Sequence, residues 1–220
     1  EMPKIRERWV TEKLDFSAVY TGYLGSAKQI DYVLDIVKSN LRAGGKLICD
    51  PAMADNGKLY AGFDANFVEA MKKLAFSADV ILPNITEACL LTGTDYRESY
   101  DKSYIDEIIG KLTASGAKTI ILTGVSFNPE TTGVAVYDDG KFSYYEHKKI
   151  SGGFHGTGDV YASAFTGAIE NGKTAVEAAK IAADFTLSCI ENTKGDAEHW
   201  YGVKFEPMLG GLIKALGLFR

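Results

Sequence analysis

The chain has 220 residues and a formal net charge of −5 at pH 7, with 46% hydrophobic and 24% charged residues. This composition is typical of a soluble globular domain, and the scattered charge argues against a basic nucleic-acid-binding surface. Apolar runs such as Thr119 to Leu122 have the length of a strand and not of a membrane-spanning helix. We therefore expect one cytoplasmic domain, residues 1–220, that binds neither nucleic acid nor membrane and has no signal peptide.

Apolar, β-branched runs alternate along the chain with stretches whose apolar residues recur at helical spacing. This alternation predicts a mainly parallel sheet with helices on both faces. In chain order we expect a helix over residues 1–13, a strand over 17–21, a helix over 27–40 ended by Gly44-Gly45, a strand over 46–50, a helix over 67–76, a strand over 79–82, helices over 86–91 and 104–113, a strand over 119–123, a strand pair over 133–148, and helices over 159–171, 175–191 and 209–216.

The strand pair is joined by Asp138-Asp139-Gly140, and Asp-Gly between alternating apolar residues is a strong hairpin signal. The fold class predicted from these elements is α/β, with three layers α/β/α, a mainly parallel central sheet and an antiparallel hairpin at its edge. Cys49, Cys89 and Cys189 are odd in number and widely spaced. They are expected to be reduced core thiols and not a disulfide framework or a zinc site.

Residues 167–174 match the nucleotide-binding pattern G-x-x-x-x-G-K-[ST] letter for letter. That loop binds phosphate only where it leaves a buried strand and opens a helix, whereas residues 160–169 are alanine-rich and helical in period. Asn171-Gly172 is instead a good left-handed helix stop, and Thr174 with Glu177 is a capping box for the next helix. We interpret the match as two helix ends.

The segment Gly156-Thr157-Gly158 lies directly before the helix predicted to begin near Asp159. Successive N–H groups at a helix N-terminus can bind one anion, and glycine lets that anion approach closely. A carboxylate in the first turn, Asp159, can then take the proton from an attacking alcohol. The segment alone is equally consistent with an Asp159 that only caps its helix.

Acidic and polar residues follow two predicted strands: Asp50 and Asp55 the first, Asn84 and Glu87 the second. Ligands gather at the carboxyl ends of strands in a doubly wound sheet, and carboxylates suit Mg²⁺, directly or through water. A loop acid or a helix cap explains any single one of these residues better. Together they favour a magnesium and phosphate site.

Five segments make the sequence similar to the pyridoxal kinases of the ribokinase-like superfamily: residues 21–26 (TGYLGS), 50–55 (DPAMAD), 84–87 (NITE), 122–124 (LTG) and 156–159 (GTGD). The similarity covers essentially the whole chain. It implies transfer of a phosphoryl group from ATP to the 5′-hydroxymethyl group of pyridoxal, pyridoxine or pyridoxamine, as in vitamin B6 salvage. It also implies Mg²⁺, a homodimer and, beside Asp50, room for a monovalent cation such as K⁺.

Matched by position, the resemblance implies that Asp159 is the catalytic base and contacts the substrate. Gly156, Thr157 and Gly158 would form the anion hole, and Tyr23 would flank the pyridine ring.

The resemblance assigns the remaining residues to the nucleotide side. Asp55, Asn84, Thr123 and Gly124 would bind ATP, and Glu87 with Asp55 would organise the magnesium. Asp50 and Tyr60 would support the site, and residues 55–60 would form a flexible loop that closes over it.

The sequence departs from the family pattern in two places. Ala54 stands where glycine is usual, which puts the geometry of the Asp55 loop in doubt. Family members also begin with a strand and further sheet before the helix that here starts at Glu1. We therefore expect a domain that lacks roughly its N-terminal quarter, including part of the substrate pocket.

Three other functions remain open. Hydroxymethylpyrimidine and hydroxymethylpyrimidine-phosphate kinases share the expected fold but commonly carry cysteine after Gly-Thr-Gly, where this chain has Asp159. Sugar and nucleoside kinases fit less well, since residues 22–26 suit a flat ring better than a web of hydroxyl contacts. A noncatalytic nucleotide- or pyridoxal-binding protein is the alternative from a different class.

Overall fold

The computed structural model describes residues 1–218. Its elements are, in chain order, α1 (Met2–Thr11), β1 (Phe16–Thr21), α2 (Ala27–Asn40), β2 (Leu41–Cys49), β3 (Ala54–Asp55), β4 (Lys58–Leu59), α3 (Ala65–Ser77), β5 (Val80–Ile81), α4 (Ile85–Thr92), α5 (Lys102–Ala114), β6 (Thr119–Val125), β7 (Thr131–Asp138), β8 (Lys141–Lys148), α6 (Thr157–Glu170), α7 (Ala175–Thr193), 3-10 turns at Ala197–His199 and Glu206–Met208, and α8 (Leu209–Leu216).

Six strands form one sheet in the order β1-β2-β5-β6-β7-β8. The pairs from β1 to β6 are parallel, and β7 and β8 extend the sheet in antiparallel fashion. The hairpin turn has φ of 48° at Asp139 and 76° at Gly140, as a two-residue primed turn requires. The predicted α/β fold and its antiparallel edge are confirmed.

Successive residues of the central strands point to opposite faces of the sheet. Ile120 and Leu122 of β6 pack into the core that contains the apolar stripes of helices α2 to α5. Ile121, between them, packs into the core that contains α6 and α7. Both faces of the sheet are therefore covered by helices, which explains why β6 reads as a continuous apolar run.

The largest departure from the sequence prediction is in β2, which begins at Leu41, directly after α2, and not at residue 46. Phe16 pairs with Leu41 but Ala18 pairs with Lys46, so extra residues bulge from the pairing. Gly44 has φ of 77°, and a Cβ atom on Gly45 would lie 2.9 Å from the carbonyl oxygen of Ser17. The two glycines form a bulge inside the strand and do not end the helix.

The region 167–174 consists of two helix ends, as predicted. Residue 170 is the last of α6, and Gly172 follows it with φ of 79°. Thr174 and Glu177 form a reciprocal capping box at the start of α7. Because a helix and not a strand precedes the motif, it has no phosphate-loop geometry.

All three cysteines are buried and unpaired, which confirms that they are core thiols. Among residues 1–218, no helix combines the length and apolar character needed to cross a membrane.

Candidate active site

A cleft of about 950 Å³ opens where β1, β2, β5 and β6 end and α6 begins. Its lining includes every site residue predicted from the sequence: Tyr23, Asp50, Asp55, Tyr60, Asn84, Glu87, Thr123, Gly124, Gly156, Thr157, Gly158 and Asp159. The fold therefore brings together in one cleft residues that are up to 136 positions apart in the chain (159 − 23).

The N-terminus of α6 offers free backbone donors to this cleft. Gly156 is the N-cap residue, with φ of 74° and ψ of 4°, and no side chain in the described part of the chain caps the helix. The first hydrogen bond of the helix joins the N–H of Val160 to the oxygen of Gly156. The N–H groups of residues 157–159 therefore have no acceptor within the helix. A Cβ atom on Gly156 or Gly158 would meet nothing within 4 Å, which leaves room for an anion.

Asp159 does not cap α6, since no side-chain cap bond is formed at this helix end. Its carboxylate reaches toward the turn after β1, where a Cβ atom on Gly22 would lie 3.6 Å from its Oδ1 atom. The side chain is exposed to the cleft. Of the two interpretations that the sequence left open, this geometry favours the general base.

Tyr20 is a polar neighbour of Asp159 that the sequence reasoning missed. The same Cβ position on Gly22 would lie 3.2 Å from the hydroxyl oxygen of Tyr20. Burial, and then the negative charges of Asp50 and Asp159, raise the pKa of the Tyr20 hydroxyl. Tyr20 therefore keeps its proton and can donate to groups near Asp159. The strand period could have found it, because β1 residues alternate between the two faces.

Glu87 and Asp50 are buried carboxylates on the floor of the cleft, 2% and 9% exposed. Burial, and then the charge of Asp50, raise the pKa of Glu87 to about 8, although backbone N–H donors act against this shift. Burial likewise raises the pKa of Asp50 to about 7, with a further contribution from Asp159. The two acids resist ionising together while no cation is bound.

The raised pKa values predict that the stability of the ligand-free chain depends on pH. Unfolded Asp and Glu release their protons near pH 4, whereas folded Asp50 and Glu87 retain theirs until about pH 7 and 8. The folded state therefore binds more protons between those limits, and the free energy of unfolding falls as the pH rises from about 5 to about 8. Urea unfolding at a series of pH values measures this slope.

Asp50→Asn is expected to flatten that pH profile, since the asparagine side chain carries no titrating proton while its amide oxygen can still accept the N–H of Ala52. Asp31→Asn, which removes an exposed carboxyl of α2, is the matched control and should leave the slope unchanged. An equal slope in Asp50→Asn and the unaltered chain would contradict this origin of the pH dependence.

Helix α4 begins with a capping box that also holds the loop carrying Asp55. The side chain of Asn84 accepts the N–H of Glu87, and Oε2 of Glu87 accepts the N–H of Asn84, both at 2.9 Å. Oε1 of Glu87 accepts the N–H of Met53 at 2.9 Å, and the amide of Asn84 donates to the oxygen of Ala54 at 2.8 Å. The helix-cap interpretation of Asn84 and Glu87 is therefore confirmed. The same two side chains also hold the Asp55 segment through their bonds to Met53 and Ala54.

Residues 55–60 are expected to be a loop, but Ala54–Asp55 and Lys58–Leu59 pair as the small hairpin β3–β4. Asn56 and Gly57 occupy its turn with φ of 50° and 75°. Asn-Gly is a typical signal of a two-residue hairpin, so the sequence contained the information. Ala54 has no positive φ, and alanine in place of the usual glycine introduces no backbone strain there.

The ends of β5 and β6 meet beside this hairpin. Asn84 and Thr123 form a parallel bridge, and the N–H of Thr123 donates to the oxygen of Pro83 at 2.9 Å. Gly124 follows with φ of 73°, a conformation that glycine adopts without strain. Thr123 and Gly124 thus face the cleft next to Asn84 and Asp55.

Tyr23 forms an aromatic wall of the cleft. It is 61% exposed, and its ring lies 5.4 Å from the ring of Phe63, which stacks on Phe67 at 3.9 Å. The N–H of Phe63 donates to the oxygen of Tyr60, so Tyr60 is held one turn away. A flat ring can stack on such a surface.

The donor chemistry of the cleft suits a divalent cation. Asp50, Asp55, Glu87 and Asp159 line it, and none of them forms an ion pair with a lysine, arginine or histidine of residues 1–218. Within those residues, however, no three His, Cys, Asp or Glu side chains are grouped closely enough to hold a metal ion by themselves. Mg²⁺ fits as an ion that keeps several water or phosphate oxygens. Its assignment to Glu87 and Asp55, and that of K⁺ near Asp50, stay predictions.

Comparison with known proteins identifies the family. A family model described as phosphomethylpyrimidine kinase matches residues 5–203. The chain belongs to this family. A pyridoxal kinase from Dictyostelium discoideum is 32% identical over 167 residues, which are 70% of this chain. A hydroxymethylpyrimidine/phosphomethylpyrimidine kinase from Bacillus subtilis is 30% identical over 189 residues, which are 84% of this chain and 68% of that protein.

The fold is that of solved family structures. A Bacteroides thetaiotaomicron protein, described as a candidate phosphomethylpyrimidine kinase in a crystal form with pyridoxal, superimposes with a TM-score of 0.90 at 33% identity. The superposition covers 96% of this chain and 76% of that one. The chain spans about half the length of the first curated relatives it matches, 54% and 47%.

Proposed function

We propose that this chain transfers the γ-phosphoryl group of ATP to the 5′-hydroxymethyl group of pyridoxal, pyridoxine or pyridoxamine. The observation that carries the proposal is the placement of Asp159. Its carboxylate makes no cap bond to its own helix and reaches the Gly22 turn. Beside it are three backbone N–H donors that no side chain of residues 1–218 caps. A base and an anion cradle thus meet in one cleft.

The chemistry follows from these two parts. The hydroxymethyl oxygen of the substrate attacks the γ-phosphorus, its proton passes to Asp159, and the bond from the γ-phosphorus to the β,γ-bridging oxygen breaks to release ADP. The N–H groups of Thr157, Gly158 and Asp159 would stabilise the negative charge on the migrating phosphoryl oxygens. Mg²⁺, when bound, supplies positive charge to the phosphates. The hydroxyl of Tyr20, which borders the same Gly22 turn as Asp159, would donate a hydrogen bond to the acceptor.

The aromatic wall supports a heteroaromatic acceptor. Tyr23 is held by Phe63 and exposes its ring to the cleft, where a pyridine ring can stack.

On the nucleotide side we assign Asp55, Asn84, Thr123 and Gly124 to the phosphates of ATP, because they lie together at the ends of β3, β5 and β6. The family resemblance alone supports our proposal of a cytoplasmic homodimer.

Phosphorylation of hydroxymethylpyrimidine or its phosphate is the second candidate. It is favoured by the description of the family model and by the similarity to the Bacillus subtilis enzyme. Its substrate is also a flat ring with a hydroxymethyl group, so the Tyr23 wall does not discriminate. Asp159, where such kinases commonly carry cysteine, favours the vitamin B6 substrates.

A substrate panel tests the proposal. The chain is incubated with ATP, Mg²⁺ and one acceptor at a time, namely pyridoxal, pyridoxine, pyridoxamine, hydroxymethylpyrimidine or its phosphate, and ADP release is measured together with the phosphorylated product. We expect the highest kcat/KM with one of the three B6 vitamers. A higher value for a pyrimidine would transfer the function to the second candidate. Binding of ATP and pyridoxal without product would indicate the noncatalytic protein.

A further inference from the structure

The segment between α4 and α5, residues 93–101, carries two tyrosines four positions apart, Tyr96 and Tyr100. Both line a second cleft of about 460 Å³, which borders the first one through Asp55, Asn84, Thr123 and Gly124. The two tyrosines therefore line a cleft that shares these four residues, which we assign to the phosphates of ATP, with the first cleft. We call residues 93–101 the tyrosine linker.

Tyr100 holds the end of β6 through its hydroxyl group. The N–H of Ser126 donates to the Tyr100 hydroxyl at 3.0 Å, and the hydroxyl donates to the oxygen of Gly124 at 3.5 Å. The ring packs against Tyr104 and Phe127, with centroids 5.4 and 6.3 Å away. One hydroxyl thus binds the backbone at Gly124, whose φ is 73°, and at Ser126, two residues further along the chain.

Tyr96 holds the β3–β4 hairpin through its ring. A Cβ atom on Gly57 would lie 2.7 Å from Cδ1 and 3.0 Å from Cε1 of Tyr96, so the ring lies flush against the hairpin turn. On another side of that turn, the N–H of Gly57 donates to the hydroxyl of buried Thr86 at 3.0 Å. The turn is therefore confined between Tyr96 and α4, and Asp55 lies directly before it.

We propose that the tyrosine linker positions the nucleotide-phosphate wall, Tyr100 by hydrogen bonds to the Gly124 turn and Tyr96 by ring contact with the Asp55 hairpin. This inference rests on the proposed function, which places the phosphates at those residues. Tyr96 and Tyr100 are positioning residues, since their contacts run through Gly57, Gly124 and Ser126. The acceptor side of the cleft, around Tyr23 and Tyr20, has no contact with either tyrosine among those the structure shows.

Tyr100 acts through its hydroxyl group and Tyr96 through its ring, so different substitutions test the two residues. Tyr100→Phe removes the hydroxyl and is expected to weaken ADP binding, measured by calorimetry with Mg²⁺, about fivefold, as the loss of one or two hydrogen bonds implies. Tyr96→Phe keeps the ring and should bind ADP as the unaltered chain does. Tyr96→Ala removes the ring and should weaken ADP binding about fivefold and speed amide hydrogen exchange over residues 54–59.

Pyridoxal binding should stay within twofold of the unaltered chain in all three variants, and so should ADP binding in Tyr32→Phe, a tyrosine of α2 that lines neither cleft. The proposal is overturned if Tyr96→Phe loses ADP affinity as Tyr96→Ala does, if Tyr100→Phe keeps full affinity, or if ADP and pyridoxal weaken together. If the unaltered chain binds ADP but transfers no phosphoryl group, the proposed function is overturned and the role of the tyrosines is not. ADP binding and amide hydrogen exchange in the variants still test that role.

Discussion

Asp159→Asn is expected to lower kcat for phosphorylation of the preferred acceptor by about 10²–10⁴-fold, the usual contribution of a general base. Asparagine has nearly the same shape but cannot accept the proton of the attacking hydroxyl. Because Asp159 makes no cap bond to α6, the helix should be retained. Steady-state kinetics with ATP and pyridoxal measure the effect, and calorimetry should show that ATP still binds.

Glu170→Gln is the matched control for this variant. Glu170 is an exposed carboxylate at the other end of the same helix, so the substitution changes the net charge of α6 equally without touching the cleft. We expect its kcat to stay within twofold of the unaltered chain. Turnover of Asp159→Asn at the rate of Glu170→Gln would remove Asp159 from the mechanism.

Gly156→Ala is expected to reduce kcat/KM by about 10²-fold or more, the effect of disturbing a preorganised anion site. Gly156 has φ of 74°, which costs an L-residue about 1–2 kcal/mol. The added methyl group also enters the open space next to the backbone donors, where a Cβ atom now meets nothing within 4 Å. Thermal unfolding and kinetics together measure the two effects.

Gly172→Ala separates backbone strain from loss of the anion site. Gly172 follows the C-terminus of the same helix with φ of 79°, and a Cβ atom there also meets nothing within 4 Å. The variant should lose about as much stability as Gly156→Ala but keep its kcat/KM. Loss of activity in Gly172→Ala would contradict this assignment and revive the phosphate-loop interpretation of residues 167–174.

The elements predicted most accurately are those with a strong local period. The apolar stripe of α5, formed by Ile105, Ile108, Ile109 and Leu112, is buried as its helical spacing predicts. The hairpin at Asp139-Gly140 follows from its turn residues, which are the ones that the backbone conformation requires. Neither prediction needed knowledge of the neighbouring elements.

The bulge in β2 was mispredicted because its cause is tertiary. Gly44-Gly45 after a helix is a normal helix stop. Only the pairing of Phe16 with Leu41 and of Ala18 with Lys46 makes those glycines part of a strand. Locally, the same two residues satisfy both interpretations.

By itself, the sequence determined which residue types stand at the strand ends and at the start of α6, and these residue types are the basis of the chemistry that we propose. All twelve predicted site residues line one cleft. Whether Asp159 caps its helix, whether Glu87 is buried, and which tyrosines approach Asp159, Gly57 and Gly124 were decided only by the tertiary structure. The physical reason is that burial and contacts between distant residues depend on how strands and helices pack, whereas sequence patterns report mainly on neighbours along the chain.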